Sequence, residues 1–173
     1  MKGRGLLSAF YPDEWRESSY GLPYEEWYER GYRGIIFDID NTLVPHGAPA
    51  DERAVQLFQR LHRIGYETCL ISNNQLPRVK PFAEAVESWF VEDAHKPSTR
   101  NYLKACRRMG LPKEQVLFVG DQLFTDVWGA RRAGIRSILV KPIHPKEEIQ
   151  IVLKRQLERV VLFFYKRNQK RTS

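Results

Sequence analysis

Gly34-Ile-Ile-Phe-Asp-Ile-Asp-Asn-Thr-Leu43 decides the reading of this chain: an apolar run that ends in two aspartates two residues apart, with a threonine behind them. A short apolar run of this kind reads as a buried strand. Residues 34–37 then carry Asp38 to the strand's carboxyl end, where open α/β sheets bind their ligands. Past the strand the chain can turn and aim Asp38 and Asp40 at one point. Two carboxylates there can divide labour, one attacking and the other moving protons. The bare Asp-x-Asp pattern is equally compatible with a strand running into an ordinary Asp-Asn turn.

Working outward, helix and strand signals alternate. Residues 51–64 place Ala54, Leu57, Phe58, Leu61 and Ile64 at helical spacing, with Gly65 as the stop. Residues 66–71 read as a strand, and residues 77–88 put Val79, Phe82, Ala83 and Val86 on one helical face. Ser98 can cap a helix bearing Tyr102, Leu103, Cys106 and Met109 and ending at Gly110. Val116–Val119 is a strand, residues 125–133 a short helix stopped by Gly134, and Ser137–Val140 another strand. Such β-α alternation predicts a doubly wound parallel sheet with helices on both faces.

Three further polar clusters come in order: Ser72-Asn73-Asn74 after the second expected strand, then Lys96-Pro97, then Gly120-Asp121 through Asp126 after the third. Together with Asp38-Ile-Asp-Asn-Thr42, this ordered set resembles the four motifs of the haloacid dehalogenase (HAD) phosphatases. The resemblance spans about Gly34 to Val140. It implies a HAD-like, Rossmannoid sheet and an Mg²⁺-dependent phosphomonoesterase. By that resemblance Asp38 is the nucleophile that forms an aspartyl-phosphate, and Asp40 is the acid and base for leaving alcohol and water. Thr42 orients the first loop. Ser72, helped by Asn73, binds a phosphoryl oxygen, and Lys96 neutralises charge on nucleophile and phosphoryl group. Mg²⁺ is assigned to Asp38, Asp40, Asp121 and Asp126. The chemistry agrees, because Mg²⁺ takes hard oxygen ligands and binds through a few carboxylates plus phosphate. Without cations, four carboxylates would repel a phosphate dianion. Each role has a plainer competitor: Lys96 as a surface lysine, Asp126 as a helix N-terminal acid, and Asn73 and Asn74 as turn formers, the reading favoured for Asn74. His46 is a candidate substrate contact, although a loop histidine is usually just exposed; His62, His95 and His144 show no ligand spacing.

HAD phosphatases carry substrate-selecting caps after the first or second motif. Here 31 residues (41–71) separate Asp40 from Ser72 and 23 residues (73–95) separate Ser72 from Lys96, enough only for single crossovers. The chain therefore looks capless, of the IIIA type. The wording Asp38-Ile-Asp-Asn-Thr-Leu-Val44, Ser72-Asn-Asn74 and Gly120-Asp-Gln-Leu-Phe-Thr-Asp126 is similar to the YqeG-type members, a group related to phosphatidylglycerophosphate phosphatases. That implies a phosphorylated lipid substrate, phosphatidylglycerophosphate, converted to phosphatidylglycerol. The alternative is a soluble sugar phosphate or nucleotide, with the basic tail holding RNA or a protein.

The tail bears on that choice. The chain's net charge is +7, and residues 154–173 hold seven bases (Lys154, Arg155, Arg159, Lys166, Arg167, Lys170, Arg171) against Glu158 alone. Ile149, Val152, Leu153, Leu157, Val160, Val161 and Phe164 recur at helical spacing. This is a basic amphipathic helix, suited either to docking on the sheet or to an anionic membrane surface. No catalytic motif lies in it, so its loss is expected to spare turnover of small phosphates. No nucleic-acid motif appears, and oligomeric state is not legible. Three regions are expected: an aromatic-rich segment 1–33 packed on or extending from the core, a phosphatase core 34–145, and the basic helix 146–173. Within the first, Pro23 to Gly31 fits a short helix. Cys69 and Cys106 have no metal or disulfide spacing. No apolar run approaches the ~20 residues of a membrane span, and Met1–Leu7 lacks a secretory signal's apolar core. A cytoplasmic enzyme, peripheral to the inner membrane face if it acts on lipid, is expected.

Overall fold

The alternating elements fold into six parallel strands flanked by helices. The computed structural model describes residues 6–144 and 149–169. In chain order the elements are β1 (Glu14–Arg16), α1 (Tyr24–Glu29), β2 (Gly34–Phe37), α2 (Glu52–Ile64), β3 (Glu67–Ile71), α3 (Leu76–Ala85), β4 (Trp89–Val91), α4 (Thr99–Met109), β5 (Val116–Gly120), α5 (Trp128–Ala133), β6 (Arg136–Val140) and α6 (Ile149–Gln169). The sheet order is β1-β6-β5-β2-β3-β4, every pairing parallel. From β2 the chain first winds outward through β3 and β4, then returns to place β5 on the other side. The reversal falls between β2 and β5, which is where such sheets open a ligand crevice.

Strand side chains alternate between faces, and both faces are covered. Ile35 and Phe37 of β2 and Leu117 and Val119 of β5 join Tyr24, Trp27, Phe58, Leu61 and Phe82 in one core beneath α1, α2 and α3. Ile36, Val116 and Phe118 join Tyr102, Cys106 and Ala130 in the other, beneath α4 and α5. Burial on both faces explains why β2 and β5 read as continuous apolar runs. Gly65, Gly110 and Gly134 end α2, α4 and α5 in the left-handed conformation expected of helix-stopping glycines. Both cysteines are free and buried. No cap interrupts the described chain: a loop, α2 and β3 fill residues 41–71, and α3 and β4 lie between Ser72 and Lys96.

The structure departs from the sequence reading in local detail. Residues 14–16 add an edge strand beside β6, tied by Asp13, whose Oδ2 accepts from Ser137 N (2.8 Å) and Ser137 Oγ (2.9 Å). Three residues are too few for periodicity to reveal. Helix α3 ends at Ala85, because Glu87 turns to φ +54°. Ser98 sits at the N-cap of α4 without a side-chain capping bond. The expected helix over 125–133 is a π turn, Leu123–Val127, followed by α5.

The largest difference is in α6. Of the two readings its sequence leaves open, docking on the sheet would bury a face that includes Leu157, Val160, Val161 and Phe164. Of these only Val161 is buried, whereas Leu157 is 62% exposed, Val160 51% and Phe164 41%. The docked face is instead Arg155, Glu158, Val161, Leu162 and Tyr165, seated on the N-terminal turn Leu6–Phe10 and the π turn. The physical reason is where the helix lands. It meets the sheet's carboxyl end, whose polar groups need partners, so the charged pair turns inward and the aliphatics stay out. The side chains of Ile149, Val152, Leu153 and Lys154, and residues Lys170 and Arg171, lie outside the described residues, as do Met1–Gly5 and the expected boundary at 145–146.

Candidate active site

The site forms at the carboxyl ends of β2, β3 and β5. Asp38 extends the β2–β5 ladder, donating its N–H to Val119 O at 3.0 Å. The chain then folds back: Asn41 takes a left-handed φ of +62°, a conformation asparagine tolerates, and its N–H meets Val44 O at 2.7 Å. Residues 19 and 20 brace this loop from outside, Ser19 Oγ donating to Thr42 O (2.7 Å) and Tyr20 OH to Leu43 O (2.5 Å). Thr42 Oγ1 in turn donates to Asp121 Oδ1 at 3.2 Å. The aromatic N-terminal segment thus shapes the loop that carries both aspartates.

Asp38, Asp121 and Asp126 converge. All three are buried, and each offers a carboxylate oxygen within 4.8 Å of the others. Lys96 Nζ bridges two of them, 2.5 Å from Asp38 Oδ1 and 2.7 Å from Asp126 Oδ1. Lys96 is positioned from its own backbone, whose N–H donates to Asn73 Oδ1 at 2.8 Å. Asp126 reaches the cluster through the π turn. The wide turn sends Val127 N back to Gln122 O (3.1 Å), and Asp126 Oδ2 accepts from Gln122 N (3.0 Å). Single π turns of this kind recur at functional sites. Tyr102 OH fastens the same turn at Thr125 O, 2.8 Å. Gly120 makes room, since a Cβ there would lie 2.6 Å from Asp126 Oδ2. Asp126 is fully buried and ion-paired, not a solvated helix-terminal acid.

Asp40 stands apart from this cluster. Its carboxylate accepts from Asn74 Nδ2 (2.6 Å), Gly47 N (2.8 Å) and Arg78 Nη2 (3.0 Å). It remains 13% exposed at the side chain, beside His46, whose Nδ1 lies 4.0 Å away. Ser72 Oγ accepts from Asn74 N at 3.0 Å and Nδ2 at 3.1 Å, which aims Asn74 at Asp40. Asp38, Asp40, His46, Ser72, Asn73 and Lys96 all border one recess of about 140 Å³.

The electrostatics follow from burial. Desolvation, reinforced by the charges of Asp126 and Asp121, holds the Asp38 pKa well above the ordinary carboxylate value despite Lys96. Asp121 is raised to about 7 by burial and by Asp126, with Arg155 opposing. Burial also works against charge on Lys96, but Asp126 and Asp38 outweigh it and hold its pKa well above the usual value.

Several participants escaped the sequence reading. Asn74, read as a turn former, orients Asp40. Arg78 of α3 carries no motif signal. Arg155 and Glu158 of α6 enter the site, although no motif lies in the tail. Arg155 Nη2 lies 2.5 Å from Asp121 Oδ2, and Glu158 Oε1 accepts from Leu123 N at 2.8 Å. Only the lone acid in a basic tail hinted at it.

Comparison with known proteins agrees with this geometry. Residues 46–134 match the family model for haloacid dehalogenase-like hydrolases. The chain is 38% identical over 163 residues to "Probable phosphatase YqeG" of Bacillus subtilis, covering 94% of this chain and 95% of that protein. It is 27% identical over 165 residues to the chloroplastic/mitochondrial phosphatidylglycerophosphate phosphatase 1 of Arabidopsis thaliana, covering 84% of this chain but only 45% of that protein. Among solved structures, one described as a haloacid dehalogenase-like hydrolase from Bacteroides fragilis superposes with a TM-score of 0.52 at 16% identity, over 69% of this chain and 93% of that one.

Proposed function

This chain belongs to the haloacid dehalogenase-like hydrolases and is a phosphatase, and from that premise we propose that it hydrolyses a lipid phosphomonoester, phosphatidylglycerophosphate, through an aspartyl-phosphate on Asp38. The observation that carries the chemistry is the Lys96 bridge, a buried ammonium 2.5 Å from Asp38 and 2.7 Å from Asp126.

An Asp38 carboxylate oxygen attacks phosphorus, and the phosphorus–ester oxygen bond breaks. The leaving alkoxide takes a proton from Asp40. Asp40, now a base, removes a proton from water as that water attacks phosphorus. The phosphorus–Asp38 bond then breaks, releasing inorganic phosphate and restoring the carboxylate. Asn74 and Arg78 hold Asp40 beside the recess for both transfers. Ser72 and Asn73 border the recess where the phosphoryl oxygens bind, and Lys96 offsets charge on nucleophile and phosphoryl group.

The residues also fit a hard divalent cation. Asp38, Asp121 and Asp126 present three buried oxygen donors in one cluster, the donor type Mg²⁺ prefers. The buried Asn41 Oδ1, on a residue that borders the recess with Asp38, meets no donor among the described residues. Mg²⁺ would supply further positive charge to the phosphoryl oxygens.

Two features support a lipid substrate. One is the similarity to the Arabidopsis protein. The other is the outer strip of α6, where Leu157, Val160, Phe163 and Phe164 are exposed beside Arg159 and Arg167. Such a basic, apolar strip suits peripheral contact with an anionic membrane. No helix among the described residues is long and apolar enough to cross a bilayer. The test is phosphate release from phosphatidylglycerophosphate in mixed micelles, set beside sugar phosphates and nucleotides. The lipid should have the highest kcat/KM. A soluble phosphate turned over about tenfold better would overturn the substrate assignment.

A further inference from the structure

Helix α6 does more than cover the sheet, because it delivers a cation to the acidic cluster. Arg155 forks onto Asp121, with Nη2 on Oδ2 at 2.5 Å and Nη1 on the Asp121 carbonyl at 2.6 Å. Glu158, one turn along, steadies the fork by accepting from Nη1 at 3.0 Å through Oε2. Its other oxygen is fixed by Leu123 N at 2.8 Å. The second oxygen of Asp121 accepts from Thr42 Oγ1. Both oxygens of this carboxylate are therefore engaged by donors, the stronger of them a full charge.

The charge balance gives the consequence. Counted as ionised, the carboxylates of Asp38, Asp121, Asp126 and Glu158 are opposed by Lys96 and Arg155, which leaves a net negative charge to attract a divalent cation. Without Arg155 that negative charge grows by one. A guanidinium and a metal ion on the same carboxylate also repel each other, most strongly in a buried setting. We infer that Arg155 competes with the divalent cation for Asp121, so that docking of α6 and cation binding oppose each other. The inference rests on the cation reading above.

The opposition reaches the helix because the Arg155–Asp121 pair is one of the contacts that hold α6 among the described residues. Leu157, Val160, Phe163 and Phe164 remain 41–62% exposed and lie outside the docked face. The described contacts that hold the helix are Val161 and Leu162, the ring pair Tyr165–Tyr11, Lys166 over Trp15, the Glu158 bond to Leu123 N, and the Arg155–Glu158 fork. Loosening the Asp121 pair weakens that hold. Coupling between two binding events is reciprocal, so weakened docking must appear as tighter cation binding, and cation binding as weakened docking.

The test titrates Mn²⁺ into the full-length wild type, Arg155→Gln and Arg155→Lys, following free Mn²⁺ by electron paramagnetic resonance. In parallel, hydrogen exchange over residues 156–167 of the wild type is read with and without the ion. Arg155→Gln should bind Mn²⁺ about tenfold tighter, within the usual range of site–site coupling. Arg155→Lys keeps the charge without the fork and should fall between. Wild-type α6 amides should lose protection when the ion saturates. A helix strut alone would give the opposite sign, since losing it disorders the site and weakens binding. Affinity in Arg155→Gln equal to or below wild type, or α6 protection that holds or rises with Mn²⁺, overturns the competition. If Arg155→Gln does not fold, the wild-type exchange result decides alone. A wild type that binds no Mn²⁺ overturns the cation reading, and this inference with it.

Discussion

Replacing Lys96 with methionine tests the physical account of the site most directly. The substitution nearly preserves shape and removes one charge. The Lys96 side chain is 5% exposed, and its partners Asp38 and Asp126 are 8% and 0% exposed. The change therefore strands two buried carboxylates beside a third, Asp121. Removing one partner of a buried pair costs about 3–5 kcal/mol. The chain's total stability is on the order of 5–15 kcal/mol, so the loss is a large fraction. At roughly 2–4 °C per kcal/mol for a domain of this size, the melting temperature should drop by roughly 6–20 °C. The pH dependence gives a sharper signature. Asp38 is raised well above its ordinary value and Asp121 to about 7 even with Lys96 present. Without Lys96 the stranded carboxylates shift further upward. A carboxylate with a raised folded pKa binds more protons folded than unfolded, so stability rises as pH falls through that window. The deficit of Lys96→Met should be largest near pH 8 and shrink toward pH 5. Urea denaturation of both proteins in EDTA, at several pH values, measures it. A variant as stable as wild type at pH 8, or a deficit that widens on acidification, would refute the buried-charge argument.

Further outcomes follow from the same geometry. Asp38→Asn should fold normally and lose turnover, because an amide cannot attack phosphorus as a carboxylate does. Retention of more than about a tenth of wild-type kcat, a loss below ~1.4 kcal/mol, would remove Asp38 as nucleophile. Asp40→Asn should slow poor leaving groups most, since they need the proton more; equal slowing of aryl and alkyl phosphates would count against its acid role. Gly120→Ala should depress activity and cost some stability, since its Cβ would meet Asp126 Oδ2 at 2.6 Å and the Phe118 ring at 2.7 Å; unchanged kcat on an aryl phosphate would show that Asp126 can shift freely. Chelation with EDTA should abolish turnover, and undiminished activity would exclude the cation.

The fold was largely written in periodicity. Apolar runs at residues 34–37 and 116–119 announced strands buried on both faces, and Gly65, Gly110 and Gly134 marked helix ends, because these are local signals read over a few residues. The ordered polar clusters after the strands, Asp38 to Thr42, Ser72 to Asn74, Lys96 and Asp121 to Asp126, were equally legible, since a parallel sheet brings successive strand ends to one edge. Sequence could not say which acids meet there. The tertiary structure clusters Asp38, Asp121 and Asp126 and sets Asp40 aside with Asn74 and Arg78, an outcome of loop geometry and of a π turn that propensity does not encode. Nor could it orient α6. Hydrophobic spacing favours the face with most aliphatics, but the helix lands on polar strand ends. Satisfying Asp121 and the Leu123 amide there outweighs burying Leu157 and Val160, so Arg155 and Glu158 turn inward, a choice made by the partner surface and invisible in the helix alone.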